Sequence, residues 1–268
     1  MSEPGLRKYD APADRIRLHL QGTFRRVLVV EGRTDAEVLG DLLSDVDIFP
    51  VGSRVVVLAT ASALVASGVA TFLAIFDVDF LPTPADEGSV AVLYPYEGRD
   101  LESMLIDLGG LSRLIRYKGS SEKIERWGGI EALVARLQES VEPVTRLRAH
   151  SAAGSLGWRF DAVRLEDKID SRTLGLLVDS YCAALAAASE CAVGPLLEVA
   201  KDATISPGSA RGKDVVAIAS VALRRLAGSL EKAACGPDLL ARDLLAASSL
   251  LLRESQWFAE LRRRLAAF

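Results

Sequence analysis

With 268 residues, half of them hydrophobic, the chain can bury a substantial core as one large domain or two modest ones. Its formal net charge of −4 is uneven: residues 1–110 carry 9 Lys+Arg against 17 Asp+Glu and residues 111–268 carry 23 against 19, as expected of a carboxylate metal site beside a separate polyanion-binding surface. Only two histidines, His19 and His150, are present, so histidine-based zinc and iron sites are hard to assemble and any metal is expected to sit on oxygen.

The N-terminus shows neither a positive-then-apolar leader nor a small-residue cleavage site, which predicts a cytoplasmic location. A short amphipathic helix is expected over residues 14–20, with His19 a surface or satisfied side chain. Arg25-Arg26-Val27-Leu28-Val29-Val30 has the form of a strand buried on both faces, ending at Glu31-Gly32. A helix follows over 34–43, with Val38, Leu39, Leu42 and Leu43 on one side. Next come a strand over 46–51, a helix over 53–67 and an apolar strand over 70–76. The middle helix is open to doubt on propensity alone, because its valines suit a strand equally well.

Residues 55–76 hold no charge and approach the length of a membrane span. Thr60, Ser62, Ser67, Gly68 and Thr71 interrupt that run, it ends on Asp77 and Asp79, and no aromatic belt borders it. Two buried elements and no membrane contact are therefore expected. Beyond a loop rich in Pro, Asp and Gly (81–88), a fourth strand is expected over 90–94 and a helix over 99–108. Short strands alternating with helices predict an α/β fold with a mainly parallel four-stranded sheet covered on both faces.

From residue 111 the pattern becomes helical, with one apolar stripe on Ile124, Trp127, Leu133, Val134 and Leu137 and another on Leu174, Leu177, Val178, Tyr181 and Leu185. Further helices are expected over 214–227, 238–252 and 256–267, with glycines and Pro237 between them. The expected organisation is thus an α/β domain over 1–110 and a mostly helical domain over 111–268. Cys182, Cys191 and Cys235 lack CxxC spacing and read as buried thiols in a reducing compartment.

Chemistry in doubly wound sheets collects beyond the carboxyl ends of the strands, and Glu31, Asp77 and Asp79 fall at such ends. On an extended chain Asp77 and Asp79 would project to one face and reach a common ion. Carboxylates packed so closely repel one another, and a divalent cation would keep them ionised; hard oxygen ligands favour Mg²⁺ or Mn²⁺. Gly32 would let a phosphate or a metal-bound water approach the backbone. Asp35, in the first turn of the next helix, can either bind the ion or stabilise the helix dipole. Glu102, in Asp100-Leu-Glu102-Ser103, is either a further ligand or a surface residue paired with Arg99.

Val27-Leu-Val-Val-Glu31-Gly-Arg-Thr-Asp35 followed by Ala74-Ile-Phe-Asp77-Val-Asp79-Phe resembles the Toprim motif pair shared by topoisomerases, bacterial primases and OLD-family nucleases. Arg99-Asp-Leu-Glu102-Ser-Met-Leu, Leu156-Gly-Trp-Arg-Phe160 and Gly212-Lys-Asp214 are similar to a Toprim-type family of bacterial anti-phage effector nucleases, such as the effector of the PARIS defence system. The resemblance spans most of the chain. It implies that Glu31 acts as general acid/base or ligand, that Asp77 and Asp79 hold Mg²⁺, and that Asp35 and Glu102 complete one or two metal sites. It also implies a nuclease acting on DNA or RNA, transfer RNA included, as a defence effector regulated by an ABC-type, OLD-like ATPase partner. Where that family often has histidine, this chain has Lys213, which removes a proton-transfer group.

Arg211 and Lys213 beside a helix start can hold a phosphate, or can lie in a solvated loop where Asp214 favours the helix N-terminus. Arg113, Arg116, Lys118 and the run Arg262–Arg264 are the other candidate contacts to a nucleic-acid backbone. Apolar C-terminal residues such as Leu250 and Leu252 suggest a homodimer. Two other readings fit the motifs. A HAD-like phosphatase would use Asp77-Val-Asp79, against which stand Phe80-Leu81 in place of Gly-Thr and the lack of a later GDxxxD segment. A non-catalytic module would use the Toprim scaffold only for binding.

Overall fold

The computed structural model describes residues 11–81, 91–204 and 209–268. The expected loop after Leu81 and the first residue of the expected fourth strand, Val90, lie outside the described residues. By packing the chain divides into two compact units: residues 11–78, 91–97 and 252–268 form one, and residues 79–81, 98–204 and 209–251 form the other.

The first unit is built on strand β1, Arg26–Val30, whose last four residues are fully buried, as a continuous apolar run requires. β2 (Val46–Pro50) and β3 (Phe72–Ala74) flank it in parallel, giving the order β2-β1-β3, with Leu28 opposite Ile48 on one side and Leu73 on the other. Three helices serve this sheet: α1 (Pro12–Gly22), α2 (Arg33–Leu42) and α3 (Arg54–Ala66). α3 forms despite Val55-Val56-Val57, because Val57, Ala61 and Leu64 are buried with Val27, Val29 and Phe72 in one core cluster, and such burial outweighs the small propensity cost of β-branching. The uncharged run over 55–76 is therefore a helix and a strand, and no helix among the described residues is long and apolar enough to cross a membrane.

Among the described residues the sheet has three strands, where four were expected. The stretch after residue 90 meets β3 through a single parallel bridge, Ala74 to Leu93. Its hydrogen bonds nevertheless track β3: Ala74 donates to Val92 O at 2.8 Å, and Tyr94 N–H donates to Ala74 O at 2.9 Å. The pairing reaches past Pro95, with Tyr96 N–H donating to Phe76 O at 3.3 Å, because the donors that face β3 are those of Tyr94 and Tyr96 and the position between them faces away.

Helix α12 (Gln256–Ala266), the last in the chain, also belongs to this first unit. Trp257 stacks on Tyr94 and Tyr96, with ring centroids 5.2 and 5.3 Å away, and its indole N–H donates to Pro95 O at 3.0 Å. Tyr94 hydroxyl returns a bond to Trp257 O at 2.9 Å, and burial, followed by the charge of Glu260, pushes this phenol up to about 12.

The second unit is helical: α4 (Leu101–Asp107), α5 (Gly110–Lys118), α6 (Ser121–Glu125), α7 (Ile130–Gly154), α8 (Val178–Ser189), α9 (Val193–Lys201), α10 (Gly212–Val221) and most of α11 (Pro237–Glu254). α10 packs against α7 and α4, and runs on into a π-helical turn, Ala222–Leu226, where a plain helix was expected to 227. Its first residue sets how close α4 comes. A Cβ at Gly212 would stand 2.2 Å from Ser103 N and 2.4 Å from Glu102 C, both backbone atoms that cannot swing aside. Gly212→Ala is expected to destabilise the protein by about 2 kcal/mol, the usual cost of an overpacked core position, measured as a lower urea midpoint.

Candidate functional site

β1 connects through α2 to β2 on one side, and the chain then crosses through α3 to β3 on the other. The order reverses between β1 and β3, and at such a point the loops leaving the two strands diverge and open a crevice at their carboxyl ends. Glu31 directly follows β1 and Asp77 lies three residues beyond β3. The Asp77 backbone N–H donates to Glu31 Oε1 at 2.8 Å, so these two half-buried acids are neighbours although 46 residues separate them.

Asp35, four residues after Glu31, is held by two donors. Gly32 N–H reaches its Oδ2 at 3.0 Å and the Tyr96 hydroxyl reaches its Oδ1 at 2.7 Å. What comes close to Gly32 is thus the carboxylate of Asp35, 2.9 Å from where a Cβ would stand. Asp35 closes the first turn of α2 at the positive end of the helix, and Tyr96, 2% exposed, fixes its direction. Tyr96→Phe is expected to cost about 1.5 kcal/mol of stability, the scale of a hydrogen bond to a charged group, read from urea denaturation.

Asp79 departs from the extended conformation assumed for it. β3 stops at Ala74, and Asp79 adopts the left-handed region with φ 49°, so the two-residue alternation of a strand does not govern where its side chain points. In the helical unit its backbone is clamped to Arg99: Asp79 N–H donates to Arg99 O at 2.9 Å, and Arg99 Nη1 donates to Asp79 O at 2.7 Å while its guanidinium covers the Phe80 ring at 4.5 Å. The Asp79 carboxylate faces Arg211, with Oδ1 3.6 Å from Nε.

Arg211 also lies 3.7 Å from Oδ2 of Asp100, a fully buried carboxylate. Asp100 caps α4 by accepting from Ser103 N at 2.8 Å, and the same oxygen accepts from Gly212 N at 3.0 Å. The motif Asp100-Leu-Glu102-Ser103 is therefore a capped helix start, with Glu102 buried in its first turn at 6% exposure and Arg99 engaged with Asp79 and Phe80. Lys213 is exposed, whereas Asp214 is buried and forms a two-point ion pair with Arg148 at 2.7 and 2.9 Å. Asp214 does more than favour a helix start: it joins α10 to α7.

Much of the basic surface is already paired. Arg263 and Arg264 both donate to Glu260, holding its carboxyl down at about 2, and Lys118 meets Asp243 at 2.8 Å. His19 meets Asp47 at 2.7 Å and lies edge-on to Phe49, the satisfied role expected of it. Sequence reasoning missed Arg54. It is 7% exposed, its Nη1 donates to Val78 O at 2.6 Å, and its guanidinium lies 5.5 Å from the centre of the Phe76 ring. A single charge opening an otherwise uncharged run of twenty-odd residues was the available signal.

Among the described residues no group of three or more His, Cys, Asp or Glu side chains is gathered as a ready cage for a metal. Glu31 and Asp77 bring carboxylates, the donor type that hard cations take, to this edge of the sheet. No protein-family model matches the chain, and no curated protein matches it.

Of the three free cysteines, Cys182 and Cys235 are buried as expected, whereas Cys191 is exposed. Burial pushes the Cys182 thiol up to about 11 and raises that of Cys235. At pH 8 iodoacetamide is expected to alkylate Cys191 first, with Cys182 and Cys235 reacting only after urea unfolding, as followed by mass spectrometry.

Proposed function

We propose that this protein is a divalent-metal-dependent nuclease whose acidic centre is the crevice between the carboxyl ends of β1 and β3. The observation that carries this reading is the Glu31–Asp77 contact, in which two acids from neighbouring parallel strands meet at the switch point of the sheet. The resemblance of Glu31-Gly-Arg-Thr-Asp35 and Asp77-Val-Asp79 to the Toprim motif pair points to the same residues, and would add Asp79 and Glu102 to the ligand set.

Magnesium is commonly held by one or two carboxylates together with waters and substrate phosphates, so a small acidic set suffices for it. When bound, such an ion supplies Lewis-acid activation of the attacking water and offsets charge on the leaving oxygen. The protein's own part is positional. Glu31 is oriented by the Asp77 amide, and Asp35 by the Gly32 amide and the Tyr96 hydroxyl. Arg54 steadies the turn that carries Asp77 by binding Val78 O. A carboxylate held in this way can accept a proton from water or position it for in-line attack on a phosphodiester.

The wider role proposed from the same resemblance is that of a defence effector acting on DNA or RNA, controlled by an ATPase partner and assembling as a homodimer. Purified protein, alone and with such an ATPase, is expected to cut single-stranded or structured nucleic acid in Mn²⁺ or Mg²⁺ and to stop in EDTA. Glu31→Gln and Asp77→Asn are each expected to lower the cleavage rate by about a hundredfold or more, the scale of losing a group that acts in the transition state. Hydrolysis of a small phosphate ester without nucleic-acid cleavage would favour a phosphatase instead.

A further inference from the structure

The sequence Leu156-Gly-Trp-Arg-Phe160 has no part in the acidic crevice, yet its last four residues form one wall of a cavity in the helical unit. That cavity holds about 920 Å³ and is lined by Trp158, Arg159, Phe160, Arg148, Arg211 and Asp79, all within this one unit. Its volume lies in the range of pockets that take a small organic ligand.

We infer that this cavity binds a nucleotide unit of single-stranded nucleic acid, stacking its base on the Trp158–Phe160 wall and placing its phosphate against Arg159. The wall is built of layered planar groups. Trp158 stacks on His150 with centroids 5.8 Å apart and leans against Phe160 at 6.4 Å, and the Arg148 guanidinium covers Phe160 at 4.5 Å. Trp158 and Phe160 are nonetheless only half-buried. Such surfaces favour flat, polarisable rings over aliphatic ligands.

Charge separates the arginines by role. The charge of Arg148 is offset by its two-point pair with Asp214, and that of Arg211 is shared by Asp79 and Asp100. Both belong to the framework of the cavity. Arg159 is exposed and, among the described residues, its guanidinium makes neither an ion pair nor a hydrogen bond, which leaves it to bind a phosphate at little desolvation cost. Its backbone is anchored at the rim, because its N–H donates to Ser189 Oγ at 2.9 Å. Asp161, also at the wall, can accept an N–H from a base edge.

The ligand class follows from these parts together. An aromatic wall, one available guanidinium and an acceptor suit a splayed base with its phosphate, and a paired base in a duplex cannot present its face to such a recess. The assignment rests on the nuclease reading for taking the nucleotide from a strand instead of from solution.

The test is binding measured in EDTA, where no cleavage occurs, by anisotropy of a short labelled single-stranded DNA and RNA, with a duplex and free nucleoside monophosphates as further ligands. Single strands are expected to bind in preference to the duplex, and Trp158→Ala to weaken them about tenfold or more, in line with loss of one base stack. Arg159→Ala removes an exposed side chain that leaves the fold intact, and is expected to weaken binding and flatten its salt dependence by about one phosphate contact. Monophosphates binding as tightly as strands, with the same loss in both variants, would keep the site but assign it to free nucleotides. Preference for duplex, no binding at all, or binding that Arg159→Ala and a folded Trp158→Ala leave unchanged would overturn it. Glu31→Gln is expected to bind as the parent does. An inactive protein that still loses strand binding in these variants would therefore sink the nuclease reading alone, whereas cleavage indifferent to both would sink the cavity alone.

Discussion

A strand buried on both faces must satisfy its backbone on both edges, and β1 does so by pairing in parallel with β2 on one side and β3 on the other. Parallel pairing brings the carboxyl ends of the strands to the same edge, so the residues that follow β1 and β3 are forced together there. Glu31 and Asp77 meet for that reason, and the hydrogen bond from the Asp77 amide to the Glu31 carboxylate is the consequence. The neighbouring pieces reinforce the arrangement. Glu31 O accepts from Gly52 N at 2.9 Å beyond the end of β2, and Arg54, at the start of the next helix, binds the carbonyl that follows Asp77.

The helical unit packs through buried apolar side chains such as Leu137, Val144 and Ile218, and arginine–carboxylate pairs are set among them. Arg148 with Asp214 joins α7 to α10, and Arg211 sits between Asp79 and Asp100. Removing either member of such a pair leaves a charge without its partner in a poorly solvated place, which costs more than the intact pair contributes. The same network sets the floor of the cavity beside Trp158, so stability and a ligand-binding surface draw on the same side chains. Gly212 adds a steric condition, since only a residue without Cβ lets α10 approach the first turn of α4.

Several elements were legible because their signal is local. The apolar run of β1, the stripe of α2 and the turn residues at its start depend on neighbours within a few positions, and the observed bounds differ from the expected ones by a residue or so. The fourth strand is reduced for a reason the local pattern does not carry: Val92 and Leu93 are apolar enough, but a regular ladder needs successive partners, and β3 ends at Ala74, where the one bridge to Leu93 falls. Asp79 shows a related failure. Its place two residues after Asp77 suggested a shared face, but that holds only for extended backbone, and a left-handed φ at Asp79 turns the chain toward Arg99. The contacts of Tyr96 with Asp35 and of Trp257 with Tyr94 span 61 and 163 residues, so no window along the chain reveals them.

By itself the amino-acid order determined that the N-terminal half alternates strand and helix, that its acids fall at strand ends, and that the remainder is helical. Each follows from periodicity and from the short reach of backbone hydrogen bonding. Only the tertiary structure decided which acids meet, which arginines are already engaged and which rings pack beside Trp158. Those outcomes depend on side chains far apart in the chain competing for the same partners, and that competition is settled by packing and charge balance once the elements have come together.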